Sequence, residues 1–177
     1  MKRLLALFLL CGLLTGGIFS ANTAFAQDSA PDSGQLDRIR TNCVDVKSRL
    51  NQLHTADTLL RVNRGQLYEQ ILTKLMSPFN SRVALNNLNS VNLVADAAQY
   101  QQQLMAFRAD YQQYEESLSA AIKIDCTTDP TGFYAQIEDA RTKRSTLHDS
   151  TVALTKTIDM YRNTFVDFRK NYLGENQ

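Results

Sequence analysis

The chain has 177 residues, with 19 Lys plus Arg against 18 Asp plus Glu. This near-neutral balance excludes the polybasic surface by which a protein binds nucleic acid or an anionic membrane through charge. Beyond residue 26 about 150 residues are left, the usual size of one domain with its own core.

Residues 1–26 read as a secretory signal peptide. Lys2 and Arg3 form a positive start, Leu4 to Leu14 an apolar run, and Ala24-Phe25-Ala26 a small-x-small cleavage site. The protein is then expected to be exported (periplasmic, cell-surface or secreted), with no membrane span after cleavage. The rival is an uncleaved N-terminal anchor, since Leu4 to Ala26 is just long enough to cross a bilayer. Cys11 fits as an ordinary member of the apolar run, because leucines precede it where lipidation needs small residues. Residues 27–33 are expected to be a disordered linker, and 34–177 a single helical domain.

From Leu36 the apolar residues recur in alternating steps of three and four. The stripe runs Leu36, Ile39, Cys43, Val46, Leu50, Leu53, Asp57, Leu60, Arg64, Leu67 and Ile71. Such a heptad belongs to a helix packed against other helices. Gly65 disfavours helix by about 1 kcal/mol relative to alanine, but the phase carries on past it. The first helix is therefore expected over about 34–76, with Pro78 stopping it. A second stripe runs Leu93, Ala97, Tyr100, Leu104, Phe107, Tyr111, Tyr114, Leu118 and Ala121, predicting a helix over 91–123. Asp129 and Pro130 cap a third helix over 130–173. Its stripe is Phe133, Ile137, Ala140, Arg144, Leu147, Thr151, Leu154, Ile158, Tyr161, Phe165, Phe168 and Tyr172, and Gly174 stands just past its end. Short links imply antiparallel neighbours. The expected fold is an all-α, up-down-up three-helix bundle, about 60 Å long at a rise of about 1.5 Å per residue.

Cys43 and Cys126 are the two cysteines beyond the leader. In an exported chain they most simply form one disulfide. That bridge also serves as a ruler between the helices. It sets Asp57 level with Arg144, and Arg64 level with Thr151. The polar interruptions of two separately assigned stripes thus coincide. They are expected as buried polar layers: an Asp57–Arg144 ion pair near Tyr111, and an Arg64–Thr151 layer one heptad on. Such layers fix register at some cost in stability.

The signatures of catalysis are missing. There is no P-loop, no GxSxG and no HExxH. His54 and His148 fall two turns apart by the same ruler, too far to share one ion. Met76, Met105 and Met160 read as core fillers, and the adjacent Glu115 and Glu116 as solvated. No metal, no cofactor and no enzymatic activity are expected. Two features remain as partner-binding candidates. Leu59 and Val62 are apolar but off the stripe. The stretch 78–90, "PFNSRVALNNLNS", carries Phe79, Val83, Leu85 and Leu88 among asparagines. The ruler sets Phe79 level with Phe165. These four apolar residues are expected to fold over Phe165, Phe168 and Tyr172 as a cap, with the asparagines outward. The expected function is non-enzymatic binding of another protein or an envelope component; a homodimer is allowed. The alternatives are a holdase-like periplasmic chaperone working as a coiled-coil oligomer, and a small-molecule carrier.

Overall fold

The computed structural model describes residues 30–174, so the leader reading lies outside the described residues. All regular structure among them is helical. The order is α1 (Ser33–Thr41), α2 (Cys43–Gln70), a π-helical stretch (Ile71–Met76), α3 (Ser77–Leu85), α4 (Val91–Lys123) and α5 (Pro130–Leu173). No described helix is long and apolar enough to cross a membrane.

The helix expected over 34–76 is divided and runs further than Pro78. Asp32 and Gln35 form a reciprocal cap at the start of α1: the Asp32 carboxylate accepts from the Gln35 N–H at 2.7 Å, and the Gln35 amide oxygen accepts from the Asp32 N–H at 3.0 Å. Asn42 leaves the helical region between α1 and α2. The proline that should have ended the helix is absorbed in the first turn of α3. Directly before it the chain is π-helical, and the Ser77 N–H reaches back five residues to the Leu72 carbonyl. The i→i−4 ladder that proline would break is already interrupted there. The actual stop lies at the asparagines. Asn87 takes φ 55°, the Leu88 N–H donates to the Val83 carbonyl, and the Asn87 N–H to the Ala84 carbonyl. This is the 6→1 and 5→2 pattern of a Schellman end, with asparagine in place of glycine.

The disulfide joins Cys43 to Cys126 with their Cα atoms 5.5 Å apart. At the other end of α5, Gly174 takes φ 68° past the last turn, and Asp129 caps the first by accepting from the Gly132 N–H. Every residue of the α4 stripe is buried. Fully burying one of its larger side chains, such as Leu104, contributes roughly 1.5–3 kcal/mol.

The α2 stripe behaves differently. Leu60 and Leu67 are 52% and 54% exposed, while Tyr68, one position on, is buried. An untwisted α-helix drifts about 20° per heptad against a 3.5-residue repeat, so from Cys43 to Ile71, four heptads, the buried face moves by about 80°, close to one residue. The inward positions accordingly pass from Leu50 to His54, Thr58, Gly65, Tyr68 and Leu72. Helix α4 packs along α5 and takes α2 on its other flank. No Cα atom of α2, the π-helical stretch or α3 comes within 8 Å of one in α5. A shallow trough runs along this interval, over side chains that meet across it, such as Phe79 and Phe165.

Candidate functional site

The middle of the trough holds the first candidate. The Tyr114 hydroxyl donates to Asp57 Oδ2 at 2.5 Å. Arg144 Nη2 stands 3.8 Å from Asp57 Oδ1, and the Arg144 side chain is 55% exposed against 14% for Asp57. The carboxylate is thus held mainly by a tyrosine, with the guanidinium as a solvated second partner. The neighbouring Tyr111, near which the pair was expected, carries the Arg61 guanidinium 4.5 Å above its ring. The Arg64–Thr151 layer is not made: Thr151 gives its hydroxyl to the Leu147 carbonyl of its own helix, as threonines in helices readily do. Arg64 and Thr151 instead line the same groove, of about 260 Å³.

Glu115 departs from its expected solvated state. It accepts from the Tyr111 hydroxyl at 3.2 Å and meets His54 Nε2 at 2.5 Å. Ser119 Oγ lies 3.4 Å from both His54 Nε2 and Glu115 Oε1. Serine, histidine and glutamate are together here, but in the wrong order for a nucleophile relay. A relay needs the acid on one imidazole nitrogen and the hydroxyl on the other; here both meet Nε2. Glu116 accepts only from Gln112 on the exposed face. His148 lines the groove, and no set of three His, Cys, Asp or Glu among the described residues can hold a metal ion.

The second candidate lies at the α3 end. The Phe79 ring meets Phe165 edge-on at 5.0 Å and Phe168 at 5.8 Å, and Phe168 stacks with Tyr172. Val83 is buried and Leu88 half-buried. Two parts of the expected cap are corrected. Leu85 points outward, 81% exposed, because the helix continues through it and α3 offers its other face to α5. Asn80 points inward, contrary to the expectation that the asparagines face solvent. Its Nδ2 donates to the Leu93 carbonyl at 3.0 Å and its Oδ1 accepts from the Tyr161 hydroxyl at 2.7 Å. Leu59 and Val62 are 62% and 46% exposed on the outer face of α2.

Tyrosine hydroxyls are the polar fittings of this core. Tyr100 donates to the Tyr68 carbonyl at 2.8 Å, just before the π-helical stretch, and Tyr161 reaches the Met76 carbonyl at 3.4 Å, at its end. Burial, with Asp96 nearby, pushes the Tyr161 phenol up to about 12. Burial likewise raises Tyr100, Tyr111 and Tyr114, and the Asp57 carboxylate raises Tyr114 further. The sequence carried one signal for these fittings: tyrosines at stripe positions, whose hydroxyls need a partner once buried.

Beside the Phe79 cluster, the trough widens to a groove of about 570 Å³ between the π-helical stretch with α3 on one wall and α5 on the other. Ile71, Leu75, Phe79, Ile158 and Phe165 supply its apolar lining, and Leu75 is 63% exposed. A second depression of about 340 Å³, sharing Phe79, Arg82 and Phe165, prolongs it to Tyr172. Comparison with known protein families, characterised proteins and solved structures finds no match to this chain.

Proposed function

We propose that this is an exported, non-enzymatic helical protein that binds another protein or an envelope component in the groove at its α3 end. In this reading the path from α1 to α3 acts as one rod beside α4 and α5, making a three-rod bundle with one open side. The supporting observation is the groove itself: large apolar side chains on both walls, with Leu75 left 63% exposed beside it. Exposed apolar patches rimmed by polar groups are how soluble proteins offer a binding surface. The disulfide and the lack of a membrane-crossing helix among the described residues are compatible with export. A carrier would favour an enclosed cavity, and this groove is open along its length. A holdase would favour an oligomer, which light scattering detects directly.

A photo-crosslinking residue at Leu75 tests the reading. It is expected to capture an envelope component from extract, while the same residue at Val44, 82% exposed near the disulfide, captures none. Equal capture at both positions, or none at Leu75, would defeat it.

A further inference from the structure

The middle of the trough holds two positive charges without a counter-ion. Asp57, Arg61 and Arg64 on α2 and Arg144, His148 and Thr151 on α5 line the groove of about 260 Å³. Asp57 is the one acid among the described residues of its lining. Both Asp57 oxygens are engaged, one by the Tyr114 hydroxyl and the other by Arg144. That rung of the groove therefore carries no net charge. The same spacing sets Arg61 level with His148 and Arg64 level with Thr151, about one and two turns further on. Neither of these rungs contains an acid. Among the described residues, Arg61 and Arg64 have no carboxylate within ion-pair distance.

The surroundings of the two arginines favour an anion. Residues three apart are neighbours on a helix face, so Arg61 and Arg64 repel each other until a negative group joins them. The Arg61 guanidinium stands 4.5 Å above the centre of the Tyr111 ring, which holds it in place without neutralising it. Across the groove, the His148 ring carries an N–H whichever way it is protonated. Glu115 accepts from the Tyr111 hydroxyl, but it lies outside the lining and meets His54. Guanidiniums pair with carboxylates and phosphates through forked hydrogen bonds. Two of them match two charges on one group, which a phosphate monoester supplies and a lone carboxylate does not. The groove falls below the range of about 300–1,000 Å³ usual for a drug-sized ligand, so it suits one charged group and not a whole molecule.

Going beyond the groove at the α3 end, we infer that Arg61 and Arg64, with His148 opposite, form a binding site for a doubly charged phosphate monoester. The phosphate takes the place of the acid that these two rungs lack. The rest of the ligand lies outside, because both arginines are exposed and the groove opens to solvent there. A soluble phosphate ester and the phosphate of a lipid headgroup share this chemistry.

The test is an NMR titration of the mature protein with ethyl phosphate and with ethyl sulfate, which is similar in shape but carries one charge. Ethyl phosphate is expected to bind with a Kd on the order of 1 mM, at least about tenfold more tightly than the sulfate, with shifts centred on Arg61, Arg64 and His148. Arg61→Gln/Arg64→Gln should abolish saturable binding. Arg38→Gln/Arg49→Gln, which removes the same charge near the disulfide, should leave it unchanged. Asp57→Asn, which keeps an acceptor for Tyr114, should tighten it several-fold. Equal binding of the two esters, equal loss in the two double variants, or no saturable binding would overturn the inference. Circular dichroism checks that each variant is folded. If the glutamine variant is not, Arg61→Lys/Arg64→Lys decides: it keeps the charge but not the fork, so binding should weaken several-fold, and an unchanged Kd would overturn the site. Flotation with phosphatidylcholine vesicles that contain phosphatidic acid then assigns the source. Co-flotation places the phosphate on a lipid headgroup, and binding of the soluble ester alone places it on a soluble ligand. Equal co-flotation with phosphatidylglycerol vesicles would overturn the inference in favour of general charge attraction.

Discussion

Replacing Asn80 by alanine tests the least foreseeable joint in the molecule. The Asn80 side chain ties three elements together: α3, the Leu93 carbonyl near the start of α4, and the Tyr161 hydroxyl on α5. The substitution removes two hydrogen bonds, each worth about 1 kcal/mol net, and leaves the buried Tyr161 hydroxyl short of a partner. Its remaining acceptor, the Met76 carbonyl, is 3.4 Å away. A buried donor left so poorly satisfied adds about 1 kcal/mol or more, for a total near 3 kcal/mol. At about 2–4 °C per kcal/mol for a domain of this size, the melting temperature should fall by about 6–12 °C. Urea unfolding followed by circular dichroism measures the free energy directly. Tyr161→Phe and the double variant complete a cycle, with an expected coupling of about 1 kcal/mol. Asn92→Ala, on the exposed face of α4, is the control and should stay within about 0.5 kcal/mol. A cost below about 1 kcal/mol for Asn80→Ala, or strict additivity with Tyr161→Phe, would refute the joint.

Replacing both Cys43 and Cys126 by serine should cost on the order of 4 kcal/mol, because the bridge closes a long loop; thiol titration of the denatured, unreduced protein that uncovers both sulfhydryls would contradict the bridge. Asp57→Ala should destabilise by about 1–3 kcal/mol, since it strips the buried Tyr114 hydroxyl of its acceptor; Arg144→Leu should cost less than about 1 kcal/mol, as for a solvated pair, and an equal loss from the two variants in urea melts would show that the ion pair carries the layer. The alkaline limit follows from four buried tyrosines, Tyr100, Tyr111, Tyr114 and Tyr161. Their raised pKa values mean that the neutral form is favoured in the fold, so this stability is intact below the ordinary value of about 10 and is lost as pH rises above it. For Tyr161 the loss extends through about 12. The part of the phenolate absorbance at 295 nm that comes from these four should therefore rise together with loss of helical circular dichroism, and full ionisation of all seven tyrosines with the helices intact would refute it.

Much of the architecture was legible because helices are local. The α4 stripe, the Asp129 cap and the Gly174 end depend on residues a few positions apart, and the side chains there obey that short-range logic. The level of Phe79 with Phe165 also followed from sequence, once the two cysteines were taken as a bridge. What sequence could not decide was how closely each helix twists around its neighbours. A heptad read from residue types presumes supercoiling. With α2 drifting as an untwisted helix, Leu60, Arg64 and Leu67 turn away from the core and Tyr68 turns in. Nor does Pro78 end a helix whose ladder a π-helical turn has already opened. Glu115 and Asn80 show the same limit for polar groups. Each looks solvated by type, and each is drawn inward because a partner from a distant element, His54 or Tyr161, arrives opposite it. The trough beside α5 is a product of all three effects. Local sequence determines the helices that border it, but only their packing sets α2 and α3 farther from α5 than from α4, since that depends on distances between chain segments that no short-range pattern encodes.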